Sequence, residues 1–66
     1  MVVKVIELIG VSPKTFEDAV AAAVRRASKT VKNITGVDVI GQSCKVKDGK
    51  VTEFRVNLKI AFVVEE

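Results

Sequence analysis

Apolar residues follow two different spacings along this chain. The segments "VVKVIELIGV" at residues 2–11, "VDVIGQSCKV" at 37–46 and "VTEFRVNLKIAFVV" at 51–64 are rich in β-branched residues and lack a helical period. Such runs predict strands. Between the first two strands, apolar residues recur every three or four positions, which predicts a helix. The order of elements is therefore strand, helix, strand, strand, in one domain spanning residues 1–66.

The predicted helix has one apolar stripe that suits packing against a sheet. It runs for about five turns and ends at Gly36, since glycine commonly follows the last helical residue. The stripe consists of Phe16, Val20, Ala23, Val24, Ala27, Val31 and Ile34.

The start of this helix has two candidate caps. One is Ser12 followed by Pro13, and the other is Thr15 with Asp18 three residues later, which is the spacing of a capping box. The adjacent acids Glu17 and Asp18 suit the positive end of the helix dipole. They are also candidate cation ligands.

The hairpin register is predicted from the requirement that the apolar residues of both strands lie on the same face of the sheet. A three-residue loop, Lys47–Gly49, places Gly41 opposite Arg55 and gathers the apolar residues of both strands on one face, whereas a one-residue slip divides them. The apolar face would carry Ile40, Cys44, Val46, Phe54, Val56, Leu58, Ile60 and Phe62. The opposite face would carry Val37, Val39, Ser43, Lys45, Glu53, Arg55, Asn57 and Lys59.

Length and composition favour self-association. A chain of 66 residues buries only roughly 60% of its unfolded surface and usually needs a disulfide, a metal or a partner. One cysteine and no histidine exclude an intrachain disulfide and the usual Cys/His zinc site. The apolar content of 48% and the long third strand therefore indicate a homo-oligomer.

The charge pattern argues against nucleic acid and membrane partners. The net charge is +3, the basic residues are scattered among eight acids, and the three aromatic residues are all Phe. Nucleic-acid binding favours a concentrated basic surface with aromatic residues for stacking. No segment approaches the ~20 apolar residues of a membrane span, and no signal peptide is recognisable. We expect a soluble, cytoplasmic protein.

The sequence predicts no catalytic site. Without histidine, a general base would be a carboxylate, a lysine or Cys44, and Cys44 falls on the predicted apolar face, where a buried thiol is inert. Asp38 falls by alternation on that same side and needs a partner or a water-lined cavity. Arg55 is either a surface partner of an acid or part of a site. The protein is predicted not to be an enzyme.

Taken in order, "KVIELIGVSP", "FEDAVAAAVRRASKT" and "DGKVTEFRVNLKIAF" resemble the dodecins over nearly the whole chain. The resemblance implies an α+β fold, β-α-β-β, in which a three-stranded antiparallel sheet partly wraps around one helix. It also implies a hollow homododecamer without enzymatic activity that binds flavins in stacked pairs at its two-fold axes. The matching residues are Lys4, Val5, Ile6, Glu7, Gly10, Ser12, Pro13, Glu17, Ala19, Val20, Arg26, Ala27, Thr30, Gly49, Val51, Phe54, Val56, Lys59 and Phe62.

This chain departs from the dodecin pattern at the flavin site. By the resemblance, Gly36 stands where a tryptophan stacks on the flavin, Val37 where a phenylalanine follows, and Arg55 where a glutamine contacts the ring. Asp38 stands where the family also has an acid. The resemblance therefore implies a ligand-binding set of Gly36, Val37, Asp38 and Arg55, with the stacking ring and the amide missing.

Three functions follow from the altered site. The first is storage of a small ligand other than flavin, or of a cation; calcium is the candidate cation, with Asp38, Glu17 and Asp18 as candidate ligands. The second is residual binding of FMN or riboflavin, with Arg55 on the ring or a phosphate. The third is a purely structural assembly without a ligand.

Overall fold

Three strands and one helix make up the fold. The computed structural model describes residues 1–64, with β1 at Val2–Ser12, α1 at Phe16–Ala27, β2 at Ile34–Lys47 and β3 at Lys50–Val64. The strands form one antiparallel sheet in the order β1-β3-β2, so β3 is central and pairs with both other strands. The predicted fold is confirmed.

Helix α1 packs on one face of the sheet, against β1 and β3. Its buried side is made of alanines, which lets the helix backbone approach the sheet closely. Gly10 of β1 marks the closest approach, because a Cβ atom there would overlap the carbonyl oxygen of Ala19 and lie 3.1 Å from Cβ of Ala23. The buried apolar residues are Ala19, Ala23, Ala27, Val56, Leu58 and Ile60.

The helix begins at the second of the two candidate caps. The Thr15 side chain accepts a hydrogen bond from the backbone N–H of Asp18 at 2.9 Å. Ser12 has a different role: its buried hydroxyl donates to Oδ2 of Asp18 at 2.7 Å and accepts from the backbone N–H of Lys14 at 2.9 Å. This pair of bonds ties the end of β1 to the first turn of α1.

The predicted end of the helix is wrong. Helix α1 has 12 residues and ends at Ala27, and a turn follows in which the N–H of Val31 donates to the carbonyl of Ala27 at 2.8 Å. Gly36 does not stop the helix; it lies inside β2. The apolar spacing continues beyond the helix end at Ala27 because Ile34 is also apolar. Ile34 lies in β2 and pairs with Phe62 on the side of the sheet that faces α1.

The predicted three-residue hairpin loop is also wrong. Lys47 pairs with Lys50, leaving a two-residue loop in which Asp48 has φ 53° and Gly49 has φ 75°. Two central residues with positive φ define a type I′ turn, whose twist matches that of the flanking strands. Thr52 then forms a bulge, beyond which Cys44 lies opposite Phe54.

A second bulge changes which β2 residues share a face. Ile40 has no partner between the pairs Val39–Leu58 and Gly41–Asn57. Val37 and Val39 therefore face the helix side, opposite Ile60 and Leu58, and not the polar side as predicted. Gly41 lies opposite Asn57 and not Arg55, which instead pairs with Ser43.

The described part of the chain is elongated. Its extents are 51 × 20 × 13 Å and its radius of gyration is 13.5 Å, whereas a compact domain of this length has about 11 Å. The β2–β3 hairpin accounts for the length, since it projects past the helix. No helix within residues 1–64 is long and apolar enough to cross a membrane.

Candidate functional site

The candidate site lies on the open face of the sheet, which we define as the face turned away from α1. Across its three strands run two adjacent rows, Gly36–Ala61–Val5 and Asp38–Lys59–Glu7. Asp38 is exposed there. The prediction that it lies on the apolar side was wrong, because the bulge at Ile40 interrupts the alternation on which that assignment relied.

The first row forms a floor with little side-chain bulk. Gly36 is half-buried, and a Cβ atom added to it would meet no other atom within 4 Å. Its cross-strand neighbour Ala61 contributes only a methyl group, and Val5 is 55% exposed. A flat apolar group can therefore lie against the backbone here.

The second row puts three charged side chains next to this floor. Lys59 of the central strand lies directly between Asp38 of β2 and Glu7 of β1, and all three are exposed. Cβ atoms of directly opposite residues are about 4.5–5.5 Å apart. The sequence alone does not connect Glu7 with this site, because the connection requires the strand order β1-β3-β2.

Two of the four predicted ligand-binding residues lie elsewhere. Val37 faces the helix side and packs against the core. Arg55 is on the open face, but six residues along β3 from Ala61, or roughly 20 Å at strand rise. Its cross-strand neighbours are Ser43 and Val11, and neither is an acid. Of the four predicted ligand-binding residues, only Gly36 and Asp38 are neighbours on the open face of one chain.

The predicted metal ligands are not brought together in one chain. Glu17 and Asp18 line a shallow cavity of about 270 Å³ at the start of α1, and one oxygen of Asp18 already accepts from Ser12. Asp38 lies on the opposite side of the sheet. Among residues 1–64, no group of three or more His, Cys, Asp or Glu side chains is arranged to hold a metal ion. Calcium takes six to eight oxygen ligands, so residues 1–64 of a single chain do not provide its site.

Cys44 is exposed, contrary to the prediction that it belongs to the core. It does lie opposite Phe54, on the helix side of the hairpin. The helix covers the sheet only as far as Phe54. There, Phe16 of the first helical turn contacts the Phe54 ring edge-on, with 5.1 Å between the ring centroids. The thiol is left beyond that contact.

The family is settled by comparison with known proteins. Residues 2–65 match the family model for dodecin. The chain belongs to the dodecin family. It is 44% identical over 62 residues to the calcium dodecin of Mycobacterium tuberculosis. The aligned region covers 92% of this chain and 86% of that protein. It is 34% identical over 65 residues to the dodecin of Thermus thermophilus, with coverages of 98% and 94%.

Solved dodecin structures have the same fold. The dodecin of Streptomyces coelicolor superposes with a TM-score of 0.96 at 35% identity, covering 98% of this chain and 93% of that one. The M. tuberculosis calcium dodecin, described as calcium chelating with a novel calcium-binding site, gives 0.86 at 39% identity with coverages of 98% and 93%. The structure of a T. thermophilus dodecin variant in which one tryptophan is replaced by phenylalanine has also been solved. The present chain has no tryptophan.

Proposed function

We propose that this dodecin is a non-enzymatic binding and storage protein that takes up a small ligand or a cation on the open face of its sheet. The hollow homododecamer is the proposed working form. The observation that carries the proposal is the pairing of the bare floor at Gly36, Ala61 and Val5 with the charged row of Asp38, Lys59 and Glu7.

The chemistry of the two rows favours an organic ligand over a bare cation. The floor accepts a flat apolar surface, while the charged row offers two carboxylate acceptors and one ammonium donor to its polar edge. Lys59 stands between Asp38 and Glu7 in the strand register, so the row also carries a positive charge. A divalent cation would meet like charge there, and it would need further oxygen ligands from a neighbouring copy.

Arg55 has a place in this proposal only across a subunit contact. It lies on the same open face as Gly36 but roughly 20 Å along the strand. A neighbouring copy packed with its open face against this one can bring its own Arg55 over the floor. The guanidinium would then pair with an acidic ligand group, or with Asp38 when no ligand is bound.

Flavin binding is the alternative, and one titration separates it from the proposal. FMN fluorescence is followed as the assembled protein is added, for the unmodified chain and for Gly36→Trp. We expect no saturable quenching by the unmodified chain and strong quenching by Gly36→Trp, because stacking on an aromatic ring contributes ~1–3 kcal/mol per face. Gly41→Trp is the matched control, since Gly41 lies on the same face beyond the charged row.

The outcomes assign the function. Saturable FMN quenching by the unmodified chain would establish the flavin alternative. If quenching is absent, millimolar calcium is added while the melting temperature is followed. A rise that Asp38→Asn abolishes, and that the control Asp48→Asn at the hairpin turn retains, would identify a cation site. A chain that binds neither flavin nor calcium, nor any member of a panel of planar organic ligands, would contradict the proposal and leave a structural assembly.

A further inference from the structure

A cleft opens between α1 and the edge strand β1, on the side of the sheet opposite the open face. The helix is held close to β1 at Gly10 by the backbone contact with Ala19. Towards its C-terminal half, it presents the small side chains of Ala22, Ala23 and Ala27 to this space, together with the side chain of Arg26. The resulting cleft has a volume of about 470 Å³, within the range of roughly 300–1,000 Å³ that is usual for small-molecule sites.

The floor of the cleft is apolar and incompletely covered. Ile6 and Leu8 form it, and both are only half-buried. Val31, in the segment after α1, also lines the cleft. These side chains are partly exposed because the alanines above them are too small to reach them. A hydrocarbon group of a ligand would fill that space and remove apolar surface from water.

The polar side chains that line the cleft are Arg26 and Thr30, and no acid is among the lining residues. The surrounding segment is strongly basic: residues 25–32 contain Arg25, Arg26, Lys29 and Lys32 and no acid. The helix end contributes only a partial negative charge, which four full positive charges outweigh. The cleft therefore combines an apolar floor with a positive margin.

We propose that this cleft binds a small apolar carboxylate, such as a medium-chain fatty acid. Its hydrocarbon part lies on Ile6 and Leu8, and its carboxylate pairs with the Arg26 guanidinium, whose forked donors match both oxygens. The Thr30 hydroxyl donates a further hydrogen bond to the same group. This site is separate from the open face and does not depend on the function proposed for that face.

Calorimetric titration of decanoate into the assembled protein tests the proposal. We expect saturable binding, weakened about tenfold or more in Arg26→Gln because a charge-assisted pair is lost. Arg25→Gln is the matched control, because Arg25 lies on the same helical turn and outside the lining. It contributes only a screened charge near the cleft, so its loss should weaken binding much less than Arg26→Gln. Decylammonium, which has the same chain length and the opposite charge, should bind at least tenfold more weakly.

A second variant tests occupancy of the cleft itself. Ala22→Leu should fill the space and abolish decanoate binding while the mass of the assembly stays unchanged. Absence of saturable binding, or equal affinities for Arg26→Gln and the unmodified chain, would overturn the proposal. So would a change of mass in Ala22→Leu, because a second copy would then be the occupant. Gly36→Trp should leave decanoate binding intact, which keeps this outcome separate from that of the open-face site.

Discussion

Individual glycines have opposite roles in this fold. Gly10 is needed because the helix backbone occupies the space where its side chain would be. Gly36, in contrast, has open space around its Cα, so the fold of a single chain does not require glycine there. From the sequence alone, Gly36 was predicted to end the helix, and neither role was anticipated. The difference depends on which face of each strand the helix covers.

Replacing Gly10 with alanine should therefore destabilise the protein. The new methyl group would overlap the Ala19 carbonyl oxygen, and α1 must move away from β1, at a cost of about 1–3 kcal/mol as for other overpacked cores. Gly36→Ala is the matched control and should change the free energy of unfolding by less than about 0.5 kcal/mol. Urea denaturation of both variants measures the difference. Equal urea midpoints for Gly10→Ala and Gly36→Ala would contradict the close contact between the helix backbone and Gly10.

At the scale of elements, the hairpin shows how local turn chemistry and overall patterning are reconciled. The dipeptide Asp48-Gly49 takes the two-residue type I′ turn that such sequences favour. That turn alone would have put apolar residues of β2 and β3 on opposite faces. The bulges at Thr52 and Ile40 shift the pairing by one residue each and restore agreement where the helix packs.

The turn is testable through its two positive φ angles. Gly49→Ala should lower the free energy of unfolding by about 1 kcal/mol, because a side chain in the left-handed region is strained. Asp48→Asn should be neutral or stabilising, since Asn-Gly suits this turn. Urea midpoints are measured for these two variants and for Asp48→Val, which distinguishes the two loop lengths. A three-residue loop would predict strain in Gly49→Ala but no effect of Asp48→Val. The observed φ of 53° at Asp48 predicts that Asp48→Val is also destabilising.

The sequence predicted the elements better than their limits and register. Strand type and the Thr15 cap depend on neighbouring residues, so a single sequence contains their signal. The helix end at Ala27 was missed because Val31 and Ile34 keep the apolar spacing after the helix has stopped. The positive φ of Asn33 marks that change of direction. Strand alternation holds only between bulges, and for this reason Asp38 and Val37 were each assigned to the wrong face.

For the candidate site, the sequence indicated residues but not their neighbours. Gly36 and Asp38 followed from the resemblance to dodecins and lie side by side on the open face. Glu7 and Lys59 complete the row only through the central position of β3. Arg55 was grouped with Gly36 although strand geometry separates them, because a family pattern combines residues that different copies of a chain can contribute.

At the scale of the whole molecule, a single chain leaves too much apolar surface uncovered. Only six apolar residues are buried among those described, and the radius of gyration exceeds that of a compact domain. Along β1, the open face carries an exposed apolar stripe that shares Val5 with the Gly36 floor. Its members are Val3, Val5, Ile9 and Val11, at 43–57% exposure. Strand β1 is also an edge strand with unpaired backbone groups, which favours a partner.

Self-association through this stripe is the last prediction. Light scattering of the unmodified chain should give a mass that is a multiple of 7.1 kDa, and twelve copies are expected from the proposed dodecamer. Val5→Asp should reduce the mass, because an added carboxylate would be buried next to Glu7 without a partner. Lys14→Asp is the control, an exposed loop position outside the stripe, and should leave the mass unchanged. A folded monomer of the unmodified chain would contradict the assembly, and an intact assembly of Val5→Asp would place the contact on another surface. Because Val5 belongs to both the stripe and the floor at Gly36, Val5→Asp should also remove ligand binding on the open face.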